Sequence, residues 1–199
     1  MKLGLFGGSF NPIHLGHYKL VTDVIKEFNL DKVIIMPTWK TPLKDTSNFA
    51  SADDRFELCK LAFKNLSYVE VSDLEIKRKG NSYTYLTLNS IKEIYPRDEL
   101  FLIVGADMFL TLEKWKCFED IFKTASIIAV PRKGMKENLI SYSAYLKEKY
   151  NCNSYIMTHK VMDVSSTEIR RKIKNAEDVS DLVDTRVLNY IKKKHLYGI

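Results

Sequence analysis

The chain has 199 residues, 45% of them hydrophobic, which suits one folded domain with a buried core and excludes a disordered polymer. No apolar run approaches the roughly 18 residues of a membrane span, the N-terminus lacks the features of a secretory signal, and 3 scattered cysteines make no disulfide framework, so the expected address is cytoplasmic. The 31 Lys and Arg exceed the 25 Asp and Glu, but they are dispersed into short clusters at 77–79, 170–172 and 192–194 without interleaved aromatics; small polyanions are the expected partners, with no nucleic acid and no membrane.

The chain opens with the apolar run Leu3 to Phe6, a Gly7-Gly8-Ser9 turn, and then His14 and His17 as an amphipathic pattern begins. That order reads as strand, glycine turn and helix start. Glycines let backbone approach a ligand closely, and a helix start offers unpaired N–H groups and a positive dipole end, so an anion is the expected guest. The two imidazoles, three residues apart, can both point at it as hydrogen-bond donors, and neither needs to be a nucleophile. The dinucleotide pattern Gly-x-Gly-x-x-Gly is absent. Zinc is the competing use of a histidine pair, but Cys59, Cys117 and Cys152 form no Cys-x-x-Cys and no carboxylate stands nearby in sequence, so no protein-bound metal is expected.

Residues 16–29 carry Tyr18, Val21, Val24, Ile25 and Phe28 at helical spacing, and Val33 to Met36 reads as a buried strand stopped by Pro37. Strand, helix and strand in this compass make a parallel crossover unit, whose active sites lie at the carboxyl ends of strands. Residues 37–51 form a long loop without periodicity. A helix starts at Ser51-Ala52-Asp53-Asp54 with an apolar face of Phe56, Leu58, Cys59, Leu61, Ala62 and Phe63, and Val69 to Val71 is a short strand. Lys77 to Ser82 reads as a polar turn and Tyr83 to Tyr95 as a helix.

Leu100 to Val104 is a buried strand ending in Gly105-Ala106-Asp107, a second candidate site at a strand's carboxyl end. A helical stretch with Trp115, Phe118, Ile121 and Phe122 follows, and the strand Ser126 to Val130 ends in Pro131-Arg132-Lys133-Gly134. The pattern predicts helix over 138–149, strand over 154–157, and a helix opened by Val164 to Arg170. That last entry could hold a second phosphate or could be an ordinary capped helix with Ser165 or Ser166 as the cap. A final helix spans Thr185 to His195.

With these pieces in order, the chain resembles the bacterial nicotinate-nucleotide adenylyltransferases, of the nucleotidyltransferase superfamily with the His-x-Gly-His motif. The resemblance rests on Gly7 to His17, Pro37 to Lys44, Ser82-Tyr83-Thr84, Gly105-Ala106-Asp107 with Trp115, Pro131 to Gly134, Ser165 to Arg170, and Val187 to Tyr197. Three positions depart from the family pattern: Leu43 where a histidine usually precedes Lys44, Leu86 where a polar residue usually stands, and Lys116 where an aromatic often follows Trp115.

The resemblance implies an α/β fold, a Rossmann-like doubly wound parallel sheet with a small C-terminal helical part, in a single nucleotidyltransferase domain over 1–199 whose residues from about 160 to 199 form the helical subregion. It implies adenylyl transfer from ATP to the 5′-phosphate of nicotinate mononucleotide, with Mg²⁺ carried by ATP. His14, His17 and Arg170 are then the catalytic residues. Gly8, Ser9, Phe10, Gly105, Asp107, Arg132, Ser165 and Ser166 join them at ATP, while Lys44, Tyr83, Thr84, Trp115 and Lys116 serve the mononucleotide. Trp115 would stack on the pyridine ring, and main-chain N–H groups around Thr84 and Lys116 would meet the nicotinate carboxylate. Another acceptor, nicotinamide mononucleotide or phosphopantetheine, and a non-catalytic nucleotide- or RNA-binding module are the alternatives, and a homo-oligomer is left open.

Overall fold

The computed structural model describes residues 1–41, 49–132, 134–159 and 162–198. Six strands, β1 (Lys2–Gly8), β2 (Lys32–Pro37), β3 (Val69–Val71), β4 (Glu99–Gly105), β5 (Ser126–Val130) and β6 (Ser154–Ile156), form one sheet in the order β3-β2-β1-β4-β5-β6. Growth outward in both directions from β1 and β4 is the doubly wound, Rossmann-like arrangement that the resemblance implies, and it contains the parallel crossover unit that the strand–helix–strand pattern predicts. Among the described residues no helix is long and apolar enough to cross a membrane. The chain divides into two compact units, described in turn.

The first unit comprises Met1–Gly7, Asp23–Ile34 and Tyr83–Val161. Its strand pairs β1–β4, β4–β5 and β5–β6 are all parallel, with Leu3 opposite Leu100 and Val104 opposite Ala129. Strands covered on both faces cannot alternate polar and apolar residues, which is why Leu100 to Val104 and Ile127 to Val130 are continuous buried runs. Gly4 is fixed by crowding: a Cβ there would lie 2.9 Å from Leu30 Cδ1 and 2.9 Å from Val33 Cγ2. Helices α4 (Thr84–Ile94), α6 (Phe118–Thr124) and α7 (Lys136–Tyr150) bury Leu88 and Ile91, Ile121, and Leu139 and Leu146 respectively.

After β4 the chain departs from the predicted helical stretch. A four-residue helix, α5 (Ala106–Phe109), is followed by a 3₁₀ turn over Leu112–Lys114, and Trp115 is extended. Cys117 then adopts the left-handed conformation, φ 52°, immediately before α6. The Thr111 hydroxyl donates to the carbonyls of Asp107 (3.2 Å) and Met108 (3.0 Å), local bonds that compete with continuation of the helix.

The second unit comprises Gly8–Thr22, Ile35–Ser82 and Met162–Ile199. It holds the first half of α1 (Leu15–Phe28), then α2 (Ala52–Phe63), α3 (Leu74–Arg78), α8 (Ser166–Lys174) and α9 (Thr185–Lys193). Helix α2 starts at the predicted place, and Ser51 caps it by accepting from the Asp54 N–H at 3.0 Å. The buried face of α2 is Arg55, Leu58, Cys59, Ala62 and Phe63, so Phe56 and Leu61, predicted on that face, are only half-buried. Helix α3 lies partly where a polar turn was expected; burial of Ile76 and Glu75 gives this short segment a face to fold against. α8 buries Ile169 and Ile173, α9 buries Val187 and Ile191, and the Tyr190 hydroxyl donates to Asp54 at 3.0 Å.

Candidate functional site

The predicted histidine pair is built into the second unit by a tightly crossed set of bonds. His14 precedes the first helical residue, Leu15, and His17 lies within the first turn of α1. The His14 N–H donates to Nδ1 of His17 and the His17 N–H donates to Nδ1 of His14, each at 3.3 Å. Both Nδ1 atoms are therefore acceptors, which leaves Nε2 of each ring as its N–H donor. The rings stack with centroids 3.6 Å apart and planes 27° from parallel. His14 is 7% exposed, and burial pushes its pKa down to about 4, so it stays neutral near pH 7.

Gly16 is dictated by this packing. A Cβ on it would lie 2.5 Å from Val164 Cγ1 and 3.0 Å from His14 Nδ1. Gly8 has a milder constraint, its virtual Cβ meeting the Phe10 ring at 3.1 Å. The left-handed residue of the turn is Phe10 itself, φ 44°, whose ring sits edge-on to His17 at 5.2 Å.

The carbonyls of this turn are held from behind. Arg170 Nη1 donates to the Asn11 carbonyl at 2.7 Å and the Ser166 hydroxyl to the Pro12 carbonyl at 2.8 Å. Arg170 Nη2 also reaches Thr167 Oγ1 at 3.3 Å. Ser165 is the N-cap of α8, accepting from the Glu168 N–H at 3.2 Å. Of the two readings of this helix entry, the cap is thus present, and Ser166 and Arg170 are joined to the histidine turn as well.

Arg55 is a residue that the sequence reading missed. It is 2% exposed, and its guanidinium donates to four carbonyls: Ser9 (2.7 Å), Thr38 (2.6 Å), Trp39 (3.3 Å) and Ala50 (3.2 Å). Asn11, also missed, accepts from the Ala50 N–H at 3.0 Å and from the Tyr197 hydroxyl at 2.9 Å. Burial raises the Tyr197 phenol well above its usual range, which keeps it protonated as a donor. A signal for Arg55 existed, since it occupies the first position of the buried pattern 55, 58, 59, 62, 63 on α2. Lys44 lies outside the described residues.

The remaining predicted residues belong to the first unit. Gly105 is the N-cap of α5; a Cβ there would meet nothing within 4 Å, so packing does not demand glycine. Asp107 and Arg132, both exposed, form an ion pair. Tyr83 is the N-cap of α4 and Thr84 its first residue. Lys116 Nζ stands over the Tyr83 ring, 4.6 Å from its centroid. Trp115 is half-buried, and its buried Nε1 has no hydrogen-bond partner among the described residues.

The turn that carries Trp115 is anchored by Glu113. Its carboxylate accepts from the hydroxyls of Tyr142 (3.1 Å), Tyr145 (3.0 Å) and Tyr150 (2.6 Å), with Lys149 Nζ at 3.4 Å. The bond from the Tyr150 hydroxyl does most to hold its pKa below the usual carboxylate value.

The chain belongs to the cytidylyltransferase-like family, whose family model matches residues 5–172. It is 41% identical over 197 residues to a Fusobacterium nucleatum protein named "Probable nicotinate-nucleotide adenylyltransferase", covering 98% of this chain and 100% of that one. A relative of the same name from Aquifex aeolicus is 43% identical over 166 residues, 82% of this chain and 98% of its own. Among solved structures, the nicotinic acid mononucleotide adenylyltransferase of Plasmodium falciparum complexed with NaAD shares the fold, with a TM-score of 0.76 at 20% identity, covering 98% of this chain and 97% of that chain.

Proposed function

We propose that this protein transfers the adenylyl group of ATP to the 5′-phosphate of nicotinate mononucleotide, giving nicotinate adenine dinucleotide and pyrophosphate in NAD biosynthesis. The observation that carries the reading is the reciprocally bonded pair His14 and His17, in a chain aligned end to end with relatives of that name. An oxygen of the mononucleotide phosphate attacks the α-phosphorus of ATP, the bond from that phosphorus to the bridging oxygen breaks, and the electron pair leaves on pyrophosphate. The attacking oxygen is already anionic, so no protein nucleophile or general base is required; alignment and stabilisation of negative charge are what the protein must supply.

The histidine pair suits that task. With Nδ1 of each occupied by a main-chain N–H, Nε2–H of each is a fixed donor for the reacting and leaving phosphates. We assign Gly8, Ser9 and Phe10 to the nucleotide through their main chain. Arg170, Ser165 and Ser166 at the start of α8 go to the β and γ phosphates, where the helix N-terminus favours anions. Gly105, Asp107 and Arg132 border the ATP ribose and adenine in this reading. Lys44 reaches a phosphate, and Tyr83, Thr84, Trp115 and Lys116 receive the mononucleotide.

Mg²⁺ enters as the companion of the triphosphate. Bound with the triphosphate, it would supply positive charge against the phosphate oxygens. We place the reaction in the cytoplasm. The test is to offer nicotinate mononucleotide, nicotinamide mononucleotide and phosphopantetheine separately with ATP and Mg²⁺ and to follow pyrophosphate release. The nicotinate compound should be turned over best; pyrophosphate release with phosphopantetheine alone, or with no acceptor, would overturn the assignment.

A further inference from the structure

We infer that the ammonium of Lys116 is a specificity-determining group that favours a mononucleotide whose ring carries a carboxylate over one whose ring carries an uncharged amide. The inference rests on the functional reading above and adds to it the side chain of Lys116.

Three observations within the first unit support it. Lys116 follows Trp115, the residue assigned to stack on the pyridine ring, so its side chain leaves the backbone one residue from the aromatic platform. Its Nζ is held 4.6 Å from the centroid of the Tyr83 ring, and Tyr83 directly precedes Thr84, which is also assigned to the mononucleotide. Finally, the ammonium is electrically uncommitted: among the described residues no carboxylate lies within ion-pair distance of it. An aromatic face holds a cation in place without cancelling its charge, so the full positive charge remains available to a ligand.

The backbone around Lys116 is also fixed. On one side, the Trp115 N–H donates to the Leu112 carbonyl at 2.9 Å, closing the turn that Glu113 ties to α7. On the other, Cys117 is held in the left-handed region, φ 52°, as the chain enters α6. A lysine on a pinned backbone, with its head against a ring, loses less side-chain freedom on pairing than a lysine on an open surface. A carboxylate on a ring stacked at Trp115 would meet this charge under partial exclusion of water, whereas an amide would gain nothing from it. For a pair that remains partly hydrated, the expected preference is about tenfold.

The experiment compares the wild type, Lys116→Met and Lys116→Arg in steady-state assays with ATP and Mg²⁺ and either nicotinate or nicotinamide mononucleotide. The methionine variant keeps the apolar stem and removes the charge. It should raise the KM for the nicotinate compound about tenfold and shift the acid-to-amide ratio of kcat/KM by about the same factor, the nicotinamide compound losing much less. The arginine variant should keep the wild-type acid-to-amide ratio within about twofold. Added salt should weaken nicotinate binding more steeply in the wild type than in Lys116→Met. An unchanged ratio in the methionine variant, or equal losses with both acceptors, would overturn the inference and leave the functional reading standing. A wild type that adenylylates neither mononucleotide would overturn the functional reading itself.

Discussion

The burial of His14 makes a prediction about acid stability whose size follows from the structure. The imidazole is 7% exposed, and its pKa falls from 6.5 to about 4 in the folded chain. Between those values the unfolded chain binds a proton at this site and the folded chain does not, so protonation favours unfolding; the stabilisation is complete above the unfolded pKa and is lost as pH falls toward the folded one. One pKa unit corresponds to about 1.4 kcal/mol, so moving from about pH 7 to about pH 5 should remove roughly 2 kcal/mol through this group alone. The assay is urea denaturation at both pH values for the wild type and for His14→Asn, whose side-chain oxygen replaces Nδ1 as acceptor for the His17 N–H and does not titrate. The wild type should lose about 2 kcal/mol more than the variant over this interval. Equal losses in the two proteins would refute the claim that a buried neutral His14 sets this dependence.

Other substitutions probe the same framework from different sides. Arg55→Lys leaves one ammonium to serve four carbonyls that a fork of donors now reaches, and should lower stability by about 3 kcal/mol and Tm by roughly 10 °C; a differential scanning measurement showing a shift of less than about 2 °C would count against the clamp. Gly16→Ala forces a methyl to within 2.5 Å of Val164 Cγ1, and should cost about 1–3 kcal/mol in chemical denaturation and lower kcat by disturbing the His14 ring. His17→Ala should reduce kcat by roughly a hundredfold or more with a milder change in the ATP KM; near-normal turnover would remove it from the reaction. Trp115→Ala should weaken mononucleotide binding and spare ATP binding in calorimetry, and equal losses for both ligands would return Trp115 to a packing role.

What could be read from the sequence was chemistry between near neighbours. The parallel sheet was legible because Leu100 to Val104 and Ser126 to Val130 are apolar runs too short for core helices, and the start of α2 was legible in Ser51-Ala52-Asp53-Asp54. The failure after β4 has the same origin in reverse. Apolar spacing at Trp115, Phe118, Ile121 and Phe122 suggests one helix, yet the left-handed Cys117 between them carries no mark in composition. Glu113 looks like any exposed acid until Tyr142, Tyr145 and Tyr150 are brought to it from 29 to 37 residues away.

The glycine turn shows the division most sharply. Its glycines read in sequence as room for a ligand to approach the backbone; among the described residues the glycines with positive φ are Gly80, Gly134 and Gly198, and the left-handed residue here is Phe10. A strained non-glycine conformation persists only where its surroundings over-determine it. Those surroundings are long-range: Arg55 on the Ser9 carbonyl from 46 residues away, Arg170 on the Asn11 carbonyl from 159, and Tyr197 on the Asn11 side chain from 186. Gly16 alone is required by close packing at the histidines. The imidazoles therefore owe their spacing to the local sequence, and the shape of the turn that presents them to charged and hydroxyl donors supplied by α2, α8 and the C-terminal segment. For that reason Arg55→Lys, which touches neither imidazole, is expected to disturb the turn.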